Sequence, residues 1–159
     1  MGARRNRPHP SRVPASRRHG LFGHVMVPVD LSDRNERALR TALALAREAG
    51  SRVTLFHVIQ RVPGLAPDEL ERFYRLLVDR SERKLREVAR SFTSKGVEVS
   101  TQVRIGEPAA EIVRATQREA VDLVVMGSHK VKPGRRDRGW GTTSYKVGIF
   151  CQCPILLVK

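Results

Sequence analysis

The chain has 159 residues, and its 30 lysines and arginines against 16 acids give a formal charge of +14 with 40% hydrophobic residues. These values suit one domain with a real core and exclude a collagen-like or wholly disordered chain. No window holds the roughly 18 consecutive apolar residues of a membrane span or the apolar segment of a secretory leader, and two cysteines cannot supply a disulfide scaffold, so the expectation is a soluble, cytoplasmic protein with no membrane partner.

Residues 1–23 carry Arg4, Arg5, Arg7, Arg12, Arg17 and Arg18 and no acid. With Val13, Leu21 and Phe22 as the only sizeable apolar side chains, this stretch buries too little to offset the entropy of ordering, and it reads as a basic disordered tail with weak attraction for polyanions. It meets no targeting pattern. No hydrophobic segment follows Arg4-Arg5 or Arg17-Arg18, no amphipathic period suggests a presequence, and Asn6 stands where myristoylation of Gly2 needs Ser or Thr.

The domain is expected over residues 24–159. Val25 to Asp30 is a short apolar strand ending in an acid, and the Ser32-Asp33-x-x-Glu36 cluster offers an N-cap and capping-box partner for a helix whose Leu39, Ala42, Leu43, Ala46 and Ala49 recur at spacings of three and four before Gly50. A second strand runs from Val53 to Ile59. After Val62-Pro63-Gly64 a long helix is expected over about Pro67 to Lys95, with Leu70, Phe73, Leu77, Leu85, Val88 and Phe92 on one side and Gly96 as its stop. Val97 to Val103 alternates apolar and polar, as an edge strand with one wet face does. Gly106-Glu107-Pro108 opens a short helix, about Ala109 to Glu119, and Leu123 to Met126 is the fourth strand. A basic, glycine-rich loop leads to a helix over about Thr142 to Phe150, and Ile155 to Val158 is the last strand.

Strands that are continuous apolar runs, alternating with helices, imply α/β architecture: a five-stranded parallel sheet with helices on both faces, a Rossmann-like open sandwich. Ligands of such sheets bind beyond the carboxyl ends of the strands. Asp30 ends the first strand there, where a carboxylate accepts hydrogen bonds from a sugar hydroxyl or a base amine. Gly127-Ser128-His129-Lys130 ends the fourth. The loop that follows holds Lys130, Lys132, Arg135, Arg136 and Arg138 against Asp137, with Gly134, Gly139 and Gly141 before Thr142 and Thr143. Glycines admit oxyanions to backbone N–H groups and hydroxyls at a helix start donate to them, so these are the parts of a phosphate cradle; the same composition also describes a plain surface excursion.

Val27-Pro28-Val29-Asp30, His57-Val58, Gly106-Glu107-Pro108, Asp122 to His129 and Cys153 to Val158 together resemble the universal stress protein family over residues 24–159. The resemblance implies strand order 3-2-1-4-5 and a homodimer paired through the last strand, Ile155 to Val158. It further implies an adenine nucleotide, ATP in the branch marked by G-x2-G-x9-G-[ST], with magnesium only as its companion. On this resemblance Pro28 and Asp30 lie beside adenine and ribose, Val58 lies on the adenine face, Met126, Gly127, Ser128 and His129 start the loop, and Gly141, Thr142 and Thr143 close it. The loop departs from the pattern at Lys130, which replaces the second glycine, and ten residues rather than nine then precede Gly141. A side chain at 130 either obstructs the tight turn or brings its ammonium to a phosphate.

Cys151-x-Cys153 lacks a second pair or a well-spaced histidine and reads as small buried hydrophobes rather than a metal or redox site. His57, within an apolar strand, reads as a core-edge histidine. Trp140 stacks on a ligand, covers the loop or packs at a dimer contact. No G-x-S-x-G, H-E-x-x-H or Walker loop is present, so no dedicated catalysis is expected beyond slow hydrolysis of a bound nucleotide. Two functions follow: a dimeric stress-response regulator that senses adenine nucleotide, or a nucleotide-independent interaction protein whose basic arm and loop bind acidic partners or nucleic acid.

Overall fold

Val25, Met26 and Val27 are wholly buried, and this short run forms the central strand of the molecule. In the computed structural model, which describes residues 21–61, 67–128 and 142–159, β1 (His24–Pro28) is followed by a 3-10 turn (Asp33–Asn35), α1 (Glu36–Ala49) and β2 (Arg52–Gln60). Then come α2 (Pro67–Thr93), β3 (Val99–Gly106), α3 (Pro108–Arg118), β4 (Leu123–Gly127), α4 (Thr143–Phe150) and β5 (Ile155–Val158). All strand pairs are parallel and the order is β3-β2-β1-β4-β5, as expected for this class. Residues 1–20 of the basic tail, and most of the basic loop, lie outside the described residues.

Alternation along each strand divides the core in two, because successive side chains point to opposite faces. Val25, Val27, Leu55, Leu123 and Val125 face α1 and α2, meeting Ala42, Ala46, Leu85 and Phe92. Met26, Phe56, Val124 and Met126 face α3 and α4, meeting Ala109, Ile112, Ala115 and Val147. Each fully buried Leu, Phe or Met contributes about 1.5–3 kcal/mol relative to exposure, so each layer is anchored by a handful of residues. Phe22 packs against the first layer, and the Ser51 hydroxyl donates to its carbonyl.

The edges differ from the centre. β3 keeps half-exposed residues along its length, as its alternation predicts, and it pairs with β2 from Val53↔Val99 to Gln60↔Gly106. Its start is two residues later than the pattern suggests and its end three later, because Val97 turns inward as the α2 C-terminus closes on it. Gly50 (φ 66°) and Gly96 (φ 77°) end α1 and α2 in the left-handed region that glycine adopts freely.

Two local expectations are corrected. Along α2 the buried aromatic is Tyr74 (7% exposed) and not Phe73 (43%), since the inward stripe runs Tyr74, Ser81, Leu85, Phe92 at helical spacing; the two rings meet edge to face at 5.5 Å. The capping box expected at Ser32-Asp33-x-x-Glu36 does not form. Ser32 gives no cap bond, its side chain being turned toward Asp30, to which the hydroxyl donates, and a 3-10 turn is interposed before α1.

Candidate functional site

Strand order reverses at β1: β2 lies on one side and β4 on the other, and the chain crosses over the sheet in opposite senses. A crevice must open where the two connections part, beyond the carboxyl ends of β1 and β4. A cavity of about 370 Å³ occupies that place, within the range of small-molecule sites. Pro28, Asp30, Val58, Met126, Gly127, Thr142 and Thr143 all line it. Ser128 does not; its N–H continues the sheet by donating to the Val158 carbonyl at 2.8 Å. His129, Lys130 and Gly141 lie outside the described residues, as does Trp140.

The Asp30 carboxylate is fixed before any ligand arrives. Its Oδ1 accepts from the Ser32 N–H at 2.9 Å, from the Ser32 hydroxyl at 2.6 Å and from the Asn35 amide. None of these three uses Oδ2. Burial alone would raise the pKa of this group, but the Ser32 and Asn35 donors and the Arg34 charge outweigh it and hold the carboxyl below its usual range. Asn35 is itself buried, and its amide also donates to the Ser32 carbonyl at 3.2 Å. Between them, Leu31 adopts φ 60°, a conformation that costs a branched-chain residue on the order of 1 kcal/mol. Its side chain packs against the first core layer and its carbonyl accepts from Lys84 at 3.3 Å, which hold the turn in place.

The opposite wall comes from α4. Thr142 is its N-cap, with Oγ1 accepting from the Tyr145 N–H at 3.3 Å, and Thr143 and the buried Ser144 follow in the first turn. This presents hydroxyls and the positive end of a helix dipole to the cavity. Gly127 lies between the two walls. A Cβ there would come no nearer than 3.8 Å to the Arg34 carbonyl, so the protein alone leaves room for one, and the small residue keeps the space open.

Apolar surface comes from Val58 and Met126 and also from Phe56, Pro108 and Ile112, which sequence reasoning placed in the core or in a turn. Asn35, Gln60 and Ser144 were missed as well. His57 lines the cavity too: its Nδ1 donates to the Val29 carbonyl at 2.8 Å, which fixes the tautomer of the neutral ring with Nε2 as acceptor. The cavity thus combines an oriented carboxylate, an apolar wall and hydroxyls at a helix start.

A larger hollow of about 800 Å³ lies at the opposite, amino end of the strands. There α1 and α2 end at Gly50 and Gly96, so carbonyls face it, while Arg47, Arg52 and Lys95 are set against Glu98 and Asp122. Asp122 is already engaged by the N–H groups of Gly23 and His24 at 2.9 and 2.8 Å. This mixed, open surface lacks the convergent donors of the carboxyl-end cavity.

A doubly wound parallel sheet with its ligand cavity at the switch point defines the class of open α/β sandwiches. Within that class the chain belongs to the universal stress protein family, whose model matches residues 21–159. It is 31% identical over 153 residues to universal stress protein YxiE of Bacillus subtilis, an alignment that takes in 87% of this chain and 100% of that relative. The solved structure of MJ0577 from Methanocaldococcus jannaschii superposes with a TM-score of 0.72 at 25% identity, covering 87% of this chain and 96% of the other. A universal stress protein of Archaeoglobus fulgidus, solved in complex with dAMP, shares the fold with a TM-score of 0.61 at 24% identity, over 87% of this chain and 99% of that one.

Proposed function

We propose that this protein is a cytoplasmic stress-response regulator that binds an adenine nucleotide, ATP in the first instance, in the cavity between Asp30 and Thr142. The observation that carries the reading is the Asp30 carboxylate, held by three donors on one oxygen at the mouth of a half-apolar cavity. A carboxylate so placed accepts from the vicinal hydroxyls of a ribose. Val58, Met126 and Ile112 offer the flat apolar surface a purine needs, and the hydroxyls and dipole of the α4 start suit phosphate oxygens. The dAMP-bound relative supports the reading, since its fold is the same.

His129, Lys130 and Gly141 would border the phosphates in this arrangement, and magnesium enters only as the companion of ATP. Occupancy rather than turnover is the function proposed. The exposed edge of β5, with Leu156 and Leu157 beside Ile149 and Phe150, is the surface for pairing with a second copy. Calorimetry with ATP, AMP and GTP tests the proposal. Heat with ATP and AMP but not GTP is expected, and no heat with ATP at millimolar concentration would overturn it.

A further inference from the structure

The two cysteines are the only thiols in the chain, and the fold brings them together at the junction of α4 and β5. Cys151 caps the C-terminus of α4, its N–H donating to the Val147 carbonyl at 2.9 Å, and its extended backbone (φ −74°, ψ 138°) carries the chain outward to Gln152. Gln152 is exposed, while both cysteines turn inward and pack against the second core layer beside Ile155. Their sulfurs lie 3.3 Å apart. Both remain half-exposed, so a small oxidant reaches them.

The hydrogen bonds around the pair give it a direction. The Thr116 hydroxyl donates to the Val113 carbonyl at 2.8 Å, which uses its one proton. Toward Cys151, at 3.6 Å, Thr116 Oγ1 is therefore the acceptor and the Cys151 S–H the donor. That leaves the Cys151 sulfur lone pairs facing Cys153, whose S–H donates to them. Burial, and then this hydrogen bond to Cys151, push the Cys153 thiol up to about 12, so Cys153 stays protonated at neutral pH.

We infer that Cys151 and Cys153 form a redox modification site, in which a peroxide oxidises the pair to an intramolecular disulfide. Cys151 sulfur attacks the peroxide: an S–O bond forms, the O–O bond breaks, and one water leaves, giving a sulfenic acid. The Cys153 sulfur then attacks the Cys151 sulfur. The S–S bond forms, the S–O bond breaks, and the departing hydroxide takes the Cys153 proton as a second water. In sum two thiols lose two protons and two electrons, and hydrogen peroxide is reduced to two waters.

Geometry favours the disulfide over a metal. Bond formation at ~2.05 Å asks the sulfurs to close by about 1.3 Å, within reach of side-chain rotation, whereas a tetrahedral zinc with 2.3 Å bonds needs its sulfurs about 3.8 Å apart. Among the described residues no third His, Cys, Asp or Glu joins the pair as a metal cluster. A ring closed across a single intervening residue is strained, which makes it readily reducible and suits a reversible mark rather than a permanent staple.

The test uses the full chain, treated with graded hydrogen peroxide, alkylated and digested with trypsin. Cleavage after Lys146 releases Val147 to Lys159, the peptide that holds both cysteines. The expected product is a single chain, not cross-linked to another and lighter by two hydrogens, with both alkylations lost together and both restored by dithiothreitol. In Cys153→Ser, which cannot close the ring, dimedone should label Cys151 as its sulfenic acid. In Cys151→Ser the remaining thiol should stay alkylatable at the same peroxide dose. Unchanged alkylation of both cysteines in the native chain, or their loss only as intermolecular disulfides, overturns the inference. The peptide map of the unmutated protein decides this even if a variant fails to fold.

Discussion

Replacing Asp30 by asparagine keeps the shape of the side chain and removes its charge. An amide oxygen can still accept from Ser32 and Asn35, but the three bonds to Oδ1 become neutral ones, roughly half as strong. Because they share one oxygen they do not add, and the loss to folding should be about 1 kcal/mol, or about 3 °C in Tm. Binding should suffer more. On the proposed reading the ribose hydroxyls lose a charged acceptor, about 1.5–3 kcal/mol, which weakens ATP binding about 10- to 150-fold. Calorimetry at pH 7 beside a thermal melt separates the two effects. Ser32→Ala gives the internal control: it removes the 2.6 Å donor yet keeps the carboxylate, so affinity should fall only a few-fold while the pH at which binding fails moves upward. The sign follows from the lowered pKa of Asp30, which is charged above that value and loses its role as pH falls through it. Asp30→Asn that binds ATP within twofold of the unmutated protein would refute the placement of the ribose. A stability loss beyond about 4 kcal/mol would recast Asp30 as a fold element.

Leu85→Ala empties a fully buried site between α2 and the sheet and should cost about 2–5 kcal/mol by denaturant titration. Glu107, N-cap of α3, accepts from the Ala110 N–H at 2.6 Å; Glu107→Ala should lower stability by about 1 kcal/mol in a neutral-pH melt. That bond, ahead of the Lys146 charge, holds the Glu107 carboxyl below 4.5, so the difference between the two proteins should be full above that pH and shrink as acid protonates the native group. Leu157→Lys places a charge on the exposed edge of β5, and on the proposed pairing sedimentation should show dimers of the unmutated chain and monomers of the variant. Dimers that persist would move the interface elsewhere. Deleting residues 1–20 should abolish any salt-sensitive retention on DNA while leaving ATP binding unchanged.

The sheet was legible because its signals are long and repeated. β1 and β4 are largely apolar runs, β2 is interrupted only by Thr54 and His57 between Val53 and Ile59, and α1 and α2 each carry several turns of helical spacing, so an error at one position does not alter the element. Where the signal is one residue wide it fails. Phe73 and Tyr74 are both aromatic neighbours of the α2 stripe, and only packing selects Tyr74. In Ser32-Asp33-x-x-Glu36 the two acids have the spacing of a capping box, but the Ser32 side chain is turned to Asp30 and a 3-10 turn stands where the helix would start. In the cavity, Asp30 and Thr142 stand at element ends, where chemistry shows in the sequence. Ile112 and Phe56 look like any core residue, because only the gap between β1 and β4 makes their faces part of a site. Asn35 looks like any solvent-facing amide in a loop, and only the fold brings Asp30 and the Ser32 carbonyl to its side-chain nitrogen.

The turn at Leu31 divides folding from recognition in time. A mobile side chain captured by a ligand loses about 0.5–1.5 kcal/mol of rotamer freedom at the moment of binding. Asp30 has already lost that freedom when the chain folds, and the left-handed Leu31, tied down by Lys84, is part of what folding gave up for it. Relaxing the turn, as Leu31→Gly would, removes backbone strain but returns the carboxylate to an ensemble of orientations. The protein would lose the packing of the Leu31 side chain and surrender readiness with it, and weaker capture would be the signature of that exchange.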